Sequence, residues 1–149
     1  EASVLYLESP AGVGYSLCPN PDECHFDDYS SSDDNMMAVR NFYLKYPEFK
    51  PNDLYLGGES YTGVYCPYLA WKIYNWNMNP DNEFKINIKG VMTGNGVTNW
   101  RWDGDPSWIK SAYYFNIYGM DYKKKLEHYN CTFEYMDREP HFFDPSPES

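Results

Sequence analysis

Apolar residues fall along this chain in short runs that switch between two periods. Val4-Leu5-Tyr6-Leu7 is a four-residue apolar run stopped by Glu8-Ser9-Pro10, which predicts a short buried strand. Ala11-Gly12-Val13-Gly14 follows as a loop whose backbone can turn tightly. Residues 17–34 hold Pro19, Pro21 and six acidic side chains and predict a surface loop. Ser31 and Ser32 ahead of Asp33 and Asp34 predict a helix start, with the acids near the positive end of its dipole. Met36, Val39, Phe42, Tyr43 and Tyr46 then recur at helical spacing up to Pro47, a core-facing stripe. Asp53-Leu54-Tyr55-Leu56 predicts a second strand that runs into Gly57-Gly58-Glu59-Ser60-Tyr61-Thr62-Gly63. Val64 to Asn77 is apolar and aromatic enough for a buried helix, with Pro67 tolerable in its first turns.

After a turn-rich break at 77–82, Phe84, Ile86, Ile88 and Val91 to Thr93 predict a third strand, ended by Gly94-Asn95-Gly96. Pro106 to Tyr118 and Tyr122 to Tyr129 read as helices divided at Gly119, and the tail from Glu139, with three prolines, reads as irregular. Strand, helix, strand, helix, strand, then helices is the order of an α/β fold with a parallel sheet and crossover helices. Residues 1–96 hold the strand signals. Residues 97–149 are rich in Trp and Tyr but poor in strand signals, and read as an excursion from the sheet.

Composition narrows the function. The 149 residues are 42% hydrophobic and 23% charged, enough for a packed core. A net charge of −10 argues against nucleic-acid binding through phosphates. A mean hydropathy of −0.73 and the lack of a long apolar run predict no membrane span. Aromatics reach 19%, which implies bulky packing or an aromatic-lined cleft. The start, Glu1-Ala2-Ser3-Val4, has neither Met nor a basic segment before an apolar run, and reads as the interior of something longer.

Chemistry concentrates at Gly58-Glu59-Ser60-Tyr61-Thr62-Gly63. This approaches G-x-S-x-G, with Gly63 displaced by one. Gly58 permits a close strand-to-helix turn with Ser60 at its apex, and the following amide, Tyr61 N–H, can face a developing oxyanion. The competing reading is a plain loop and helix cap.

Two further segments extend the pattern. Val4-Leu5-Tyr6-Leu7-Glu8-Ser9-Pro10-Ala11-Gly12-Val13-Gly14-Tyr15-Ser16, Gly58 to Tyr65, and Lys89-Gly90-Val91-Met92-Thr93-Gly94-Asn95-Gly96 together resemble serine carboxypeptidases, especially the cathepsin A type. The second of these resembles the family's G-E-S-Y-x-G nucleophile motif, which accounts for the displaced glycine. The resemblance covers roughly residues 3–98 well and the rest loosely.

It implies a partial α/β-hydrolase fold, with 1–96 in the core and 97–149 beginning a helical cap insertion. Ser60 would be the acylating nucleophile, Tyr61 would give one backbone oxyanion N–H, Gly58 and Gly63 would shape the elbow, and Glu59 would bind the substrate's terminal carboxylate. A neutral carboxylic acid there would donate a hydrogen bond to that carboxylate, so binding is expected to favour mildly acidic pH. The family's Asp and His lie downstream of residue 149 and its second oxyanion donor upstream of residue 1. The remainder of the same enzyme is therefore the expected partner, besides a peptide substrate with a free C-terminus. The 149 residues alone are expected to be inactive. No metal or organic cofactor is implied. Thr62, where Ala is usual, Cys66, in place of an aliphatic residue, and the two cysteines of the 17–34 loop depart from the family pattern.

Cys18 and Cys24 flank five residues and can close a disulfide loop worth roughly 2 kcal/mol. The rival is a metal site with His25, which lacks a fourth ligand at finger-like spacing. Cys66 reads as a buried thiol. Cys131 can pair outside the chain, and Asn130-Cys131-Thr132 is an N-glycosylation sequon. These features favour a lysosomal, vacuolar or secreted address. His25, His128 and His141 read as surface residues. An acyltransferase on the same scaffold, and a non-catalytic binding role using Trp100, Trp102 and Trp108, are the alternatives.

Overall fold

A computed structural model describes residues 2–20, 22, 24–99, 103 and 105–129. The chain divides into two units, Glu1–Gly96 and Val97–Ser149.

In the first unit, helix α1 spans Asp28–Lys45. It begins about one turn before Ser31 and Ser32, because Asp27 supplies the cap. Ser30 N–H donates to Asp27 Oδ1 at 2.7 Å and Asp27 N–H donates to Ser30 Oγ at 2.9 Å, a reciprocal box that satisfies two orphan donors. Ser31 and Ser32 instead lie inside the helix at 4% and 2% exposure, and Ser32 Oγ returns its proton to the Tyr29 carbonyl. The helix stops where expected, ahead of Pro47, in a 3-10 turn over Pro47–Phe49.

Strand β1 is Leu54–Glu59 and strand β2 is Ile88–Gly94, joined through helix α2, Thr62–Met78. The strands pair in parallel, Leu56 opposite Val91 and Glu59 opposite Gly94, with one register irregularity between Leu54 and Tyr55. Parallel neighbours need a crossover of a dozen residues or more, and α2 is that crossover. Its buried residues Gly63, Cys66, Leu69 and Ile73 follow helical spacing. Cys66, Leu69 and Ile73 meet Met36, Val39 and Tyr43 of α1, Leu56 of β1 and Ile86 in a single cluster. Ile73 is fully buried and central. Asp33–Lys72 and Arg40–Glu83 ion pairs lie at the edges of this packing and contribute little beyond orientation.

Two strand expectations need correction. Val4–Leu7 forms no strand, and its four side chains are 40–88% exposed. A strand exists only through a ladder partner, and neither β1 nor β2 pairs with it. Phe84 and Ile86 lie outside β2 because α2 takes their backbone groups. Asn77 donates to the Ile86 carbonyl and accepts from its N–H, both at 2.8 Å, while Trp76 Nε1–H donates to the Phe84 carbonyl.

In the second unit, α3 spans Asp105–Tyr114 and α4 spans Met120–His128. The first of these ends before Tyr118. Asn116 takes the left-handed backbone (φ 56°); its N–H bonds the Tyr113 carbonyl and Ile117 N–H bonds the Ala112 carbonyl. That is a Schellman stop, which Asn fills when glycine does not. Gly119 caps the start of α4. Ahead of α3, Asp103 Oδ2 accepts from Thr98 N–H, Thr98 Oγ–H and Asn99 N–H at 2.7–2.9 Å. These bonds hold its carboxyl below the usual range, the Thr98 hydroxyl foremost.

Candidate active site

β1 delivers the chain to a sharp reversal. Ser60, the residue after Glu59, has φ 61°, a left-handed conformation that costs a non-glycine residue and is kept where the surroundings impose it. Here they do. Ser60 N–H donates to the Gly94 carbonyl at the end of β2 at 3.0 Å, extending the parallel ladder by one residue. Its carbonyl accepts Gly63 N–H at 3.1 Å, and Tyr61 accepts Val64 and Tyr65 N–H, at 2.9 and 3.2 Å. The strand thus becomes a helix across two residues, with an exposed serine at the bend.

The glycines have distinct tasks. A Cβ on Gly58 would collide with the Thr62 side chain, so Gly58 is the residue that lets the first turn of α2 fold back over β1. Gly63 is buried in α2. A Cβ on Gly96 would lie 3.3 Å from Gly63 Cα and 3.0 Å from Thr93. The Gly94-Asn95-Gly96 turn, with Asn95 at φ 45°, therefore packs against the helix start. Glycine one place beyond the strict pentapeptide fits this contact, which the local sequence does not express. Thr62 Oγ1 is buried without a hydrogen-bond partner.

Glu59 is exposed at the end of β1. Tyr61 is half-buried, and its phenol O–H donates to Asp28, 3.1 Å from Oδ2 and 3.3 Å from Oδ1. Burial, then this carboxylate, push the phenol's pKa above its usual value. Asp28 escaped the sequence reading, since nothing local links positions 33 residues apart. Glu8 escaped it too: its Oε2 accepts Tyr15 N–H at 2.7 Å. Its side chain also fills the space where a Gly14 Cβ would stand, and Gly14 has φ 54°.

Cys18 and Cys24 form a disulfide, which removes both thiols from the metal reading. Among the described residues no group of three His, Cys, Asp or Glu could hold a metal ion. Cys66 is a buried free thiol whose burial pushes its pKa up. His25 and His128 are exposed. Asn130, Cys131, His141, Trp100, Trp102 and the side chain of Trp108 lie outside the described residues. No helix among the described residues is long and apolar enough to cross a membrane.

A parallel β-α-β unit with a strained serine at the strand-to-helix bend defines part of an α/β-hydrolase fold. The solved structure of Kex1(Δ)p, a prohormone-processing carboxypeptidase from Saccharomyces cerevisiae, superposes with a TM-score of 0.64 at 23% identity. That match covers 87% of this chain and 28% of the yeast one. The serine carboxypeptidase family model matches residues 1–142, and the chain belongs to that family. Serine carboxypeptidase ctsa-4.1 of Caenorhabditis elegans is 48% identical over 98 residues, 66% of this chain and 20% of the relative. Serine carboxypeptidase-like 35 of Arabidopsis thaliana is 41% identical over 100 residues, 66% of this chain and 21% of the relative. The lysosomal protective protein of Mus musculus is 34% identical over 132 residues, 88% and 26%. The chain spans between 20% and 29% of the length of these and other curated relatives.

Proposed function

We propose that this chain carries the nucleophile of a serine-type carboxypeptidase that releases C-terminal residues from peptides through an acyl-enzyme on Ser60. The observation that carries the reading is the left-handed Ser60 at the bend between β1 and α2. A hydroxyl held there stands clear of its own strand and helix, beside the amino end of α2, where amides and dipole favour negative charge.

In the proposed reaction Ser60 Oγ attacks the scissile carbonyl, losing its proton to a histidine base, and Tyr61 N–H stabilises the oxyanion. Collapse expels the C-terminal residue as an amine, and water then releases the acyl group. Glu59 binds the terminal carboxylate from the adjacent position. The histidine, its aspartate and the second oxyanion donor are assigned to polypeptide beyond these 149 residues, so the chain alone is inactive. A lysosomal, vacuolar or secreted address accords with the Cys18–Cys24 disulfide, since such bonds persist in oxidising compartments. The mouse relative's name is lysosomal as well.

The test is capture of Ser60 by a fluorophosphonate in the native assembly, read by mass spectrometry of the modified peptide. Labelling at Ser60, lost in Ser60→Ala, together with release of C-terminal amino acids from peptides, is the expected result. A native assembly that cleaves peptides while Ser60 stays unmodified refutes the assignment.

A further inference from the structure

Tyr61 has two roles that the fold keeps on separate atoms. Its backbone opens α2 and directly follows the nucleophile. Its side chain reaches α1, where the phenol donates its one proton to the Asp28 carboxylate, shared between oxygens at 3.1 and 3.3 Å. The ring also meets Tyr65 edge-on, with centroids 4.9 Å apart. Asp28 is the first residue of α1 and follows the capping residue Asp27, so its carboxylate springs from a well-fixed backbone. Asp28 is not near Ser60 in sequence, and reaches the elbow through this hydrogen bond.

We infer that Asp28 is a positioning residue that clamps the Tyr61 phenol and thereby holds the Tyr61 amide, one residue past Ser60, in oxyanion register. The inference rests on the proposed role of Ser60 and adds a residue to it. Oxyanion donors work only when preorganised, held within about 0.5 Å of a position ~3 Å from the developing charge. Only two residues separate β1 from α2 at this bend, so any rotation at the start of α2 passes directly to the Tyr61 amide. A carboxylate acceptor makes this bond stronger than a neutral acceptor would at the same distance, and it ties the α2 start to a second helix. The raised pKa of the phenol keeps it a proton donor well past neutrality.

The experiment measures fluorophosphonate capture of Ser60, which forms the Oγ–phosphorus bond and releases fluoride, in the native assembly. Tyr61→Phe and Asp28→Ala are each expected to slow capture about tenfold, a fraction of what losing a whole oxyanion donor costs. The double variant should be no slower than either single one, because both act through one bond. Asp28→Asn, whose amide oxygen still accepts from a phenol, should stay within about threefold of the unsubstituted rate. With peptide, kcat should fall while KM holds, the signature of an interaction used in the transition state.

Rate losses that multiply in the double variant would overturn the clamp. So would an Asp28→Ala that melts lower yet is captured at the normal rate. Should Asp28→Ala fail to fold, Tyr61→Phe against Asp28→Asn decides the matter. Capture of the unsubstituted protein with an unchanged Tyr61→Phe sinks the clamp alone. No capture of the unsubstituted protein sinks the nucleophile assignment and the clamp with it.

Discussion

Replacing Gly58 with alanine should damage the elbow through one identifiable atom, and a second substitution should relieve it. The backbone at Gly58 lies outside the left-handed region, so alanine adds no conformational strain there. The cost is steric. The new methyl would overlap Thr62 Cγ2, with Thr62 Cβ at 3.0 Å and Oγ1 at 3.1 Å behind it. Rotating Thr62 moves Cγ2 but leaves Cβ in place, so the helix start must shift by a few tenths of an ångström. Overpacking of this kind costs about 1–3 kcal/mol.

Thr62→Ala alone should be neutral to mildly stabilising. It removes a methyl worth about 0.8 kcal/mol, but also the unpartnered hydroxyl, whose burial costs about 1–3 kcal/mol. In the double variant Cγ2 and Oγ1 are gone and only the Cβ contact persists. We expect it to recover about 1 kcal/mol of the loss, a coupling typical of residues in contact. Urea unfolding of the four proteins gives the cycle, and Ser60 capture by fluorophosphonate reports elbow geometry. Gly58→Ala should slow capture and the double variant should restore part of it. Additive stability changes, within about 0.5 kcal/mol, would refute the steric account.

The remaining predictions concern the frame around the elbow. Ile73→Ala should destabilise by about 2–5 kcal/mol, since Ile73 is fully buried; a loss under 1 kcal/mol in urea would mean that the core is misplaced. The Asp27 carboxyl lies below its usual 3.8, chiefly through the Ser30 backbone N–H and then the Ser30 hydroxyl. Its contribution is therefore present above that pH and lost as pH falls through the lowered value. The melting-temperature deficit of Asp27→Ala should accordingly shrink in strong acid. Tyr61 titrates above its usual 10.0, so its contribution is complete below pH 10 and lost as pH rises through the raised value. Tyr61→Phe should flatten the alkaline fall in melting temperature. Some slope should remain from Tyr43, which burial also raises. Finally, alkylation of the native protein without reductant should spare Cys66 as well as the disulfide-bonded Cys18 and Cys24. Rapid labelling of Cys66 at neutral pH would contradict its burial.

How far these features were readable from the residues depends on how local their causes are. β1, the bend and α2 form one continuous stretch in which Leu54, Leu56, Gly58 and the apolar run after Ser60 speak for themselves; α2 lies within two residues of expectation, and β1 runs on past Leu56 to Glu59. The α1 stripe of Met36, Val39 and Tyr43 was equally plain. Its start was not, because Ser31 and Ser32 are good caps by type while Asp27, one turn earlier, has Ser30 to complete a reciprocal box. Pattern also fails where the deciding partner is distant. Phe84 and Ile86 alternate like a strand, yet Asn77 and Trp76 take their backbone groups.

The same logic orders the candidate site. Ser60 was legible because a strand, a glycine and a helix converge on it in sequence. The family motif accounts for the place of Gly63 by resemblance, and the Gly96 turn adds a physical reason, a close approach between residues 33 apart in sequence. Asp28 gave no signal at all, for its tie to Tyr61 is purely tertiary. A motif therefore names the atom that reacts more readily than the groups that hold it still. If the elbow depends on those groups, losses of Ser60 reactivity should trace to Asp28 and the Gly96 turn as well as to the motif's own residues.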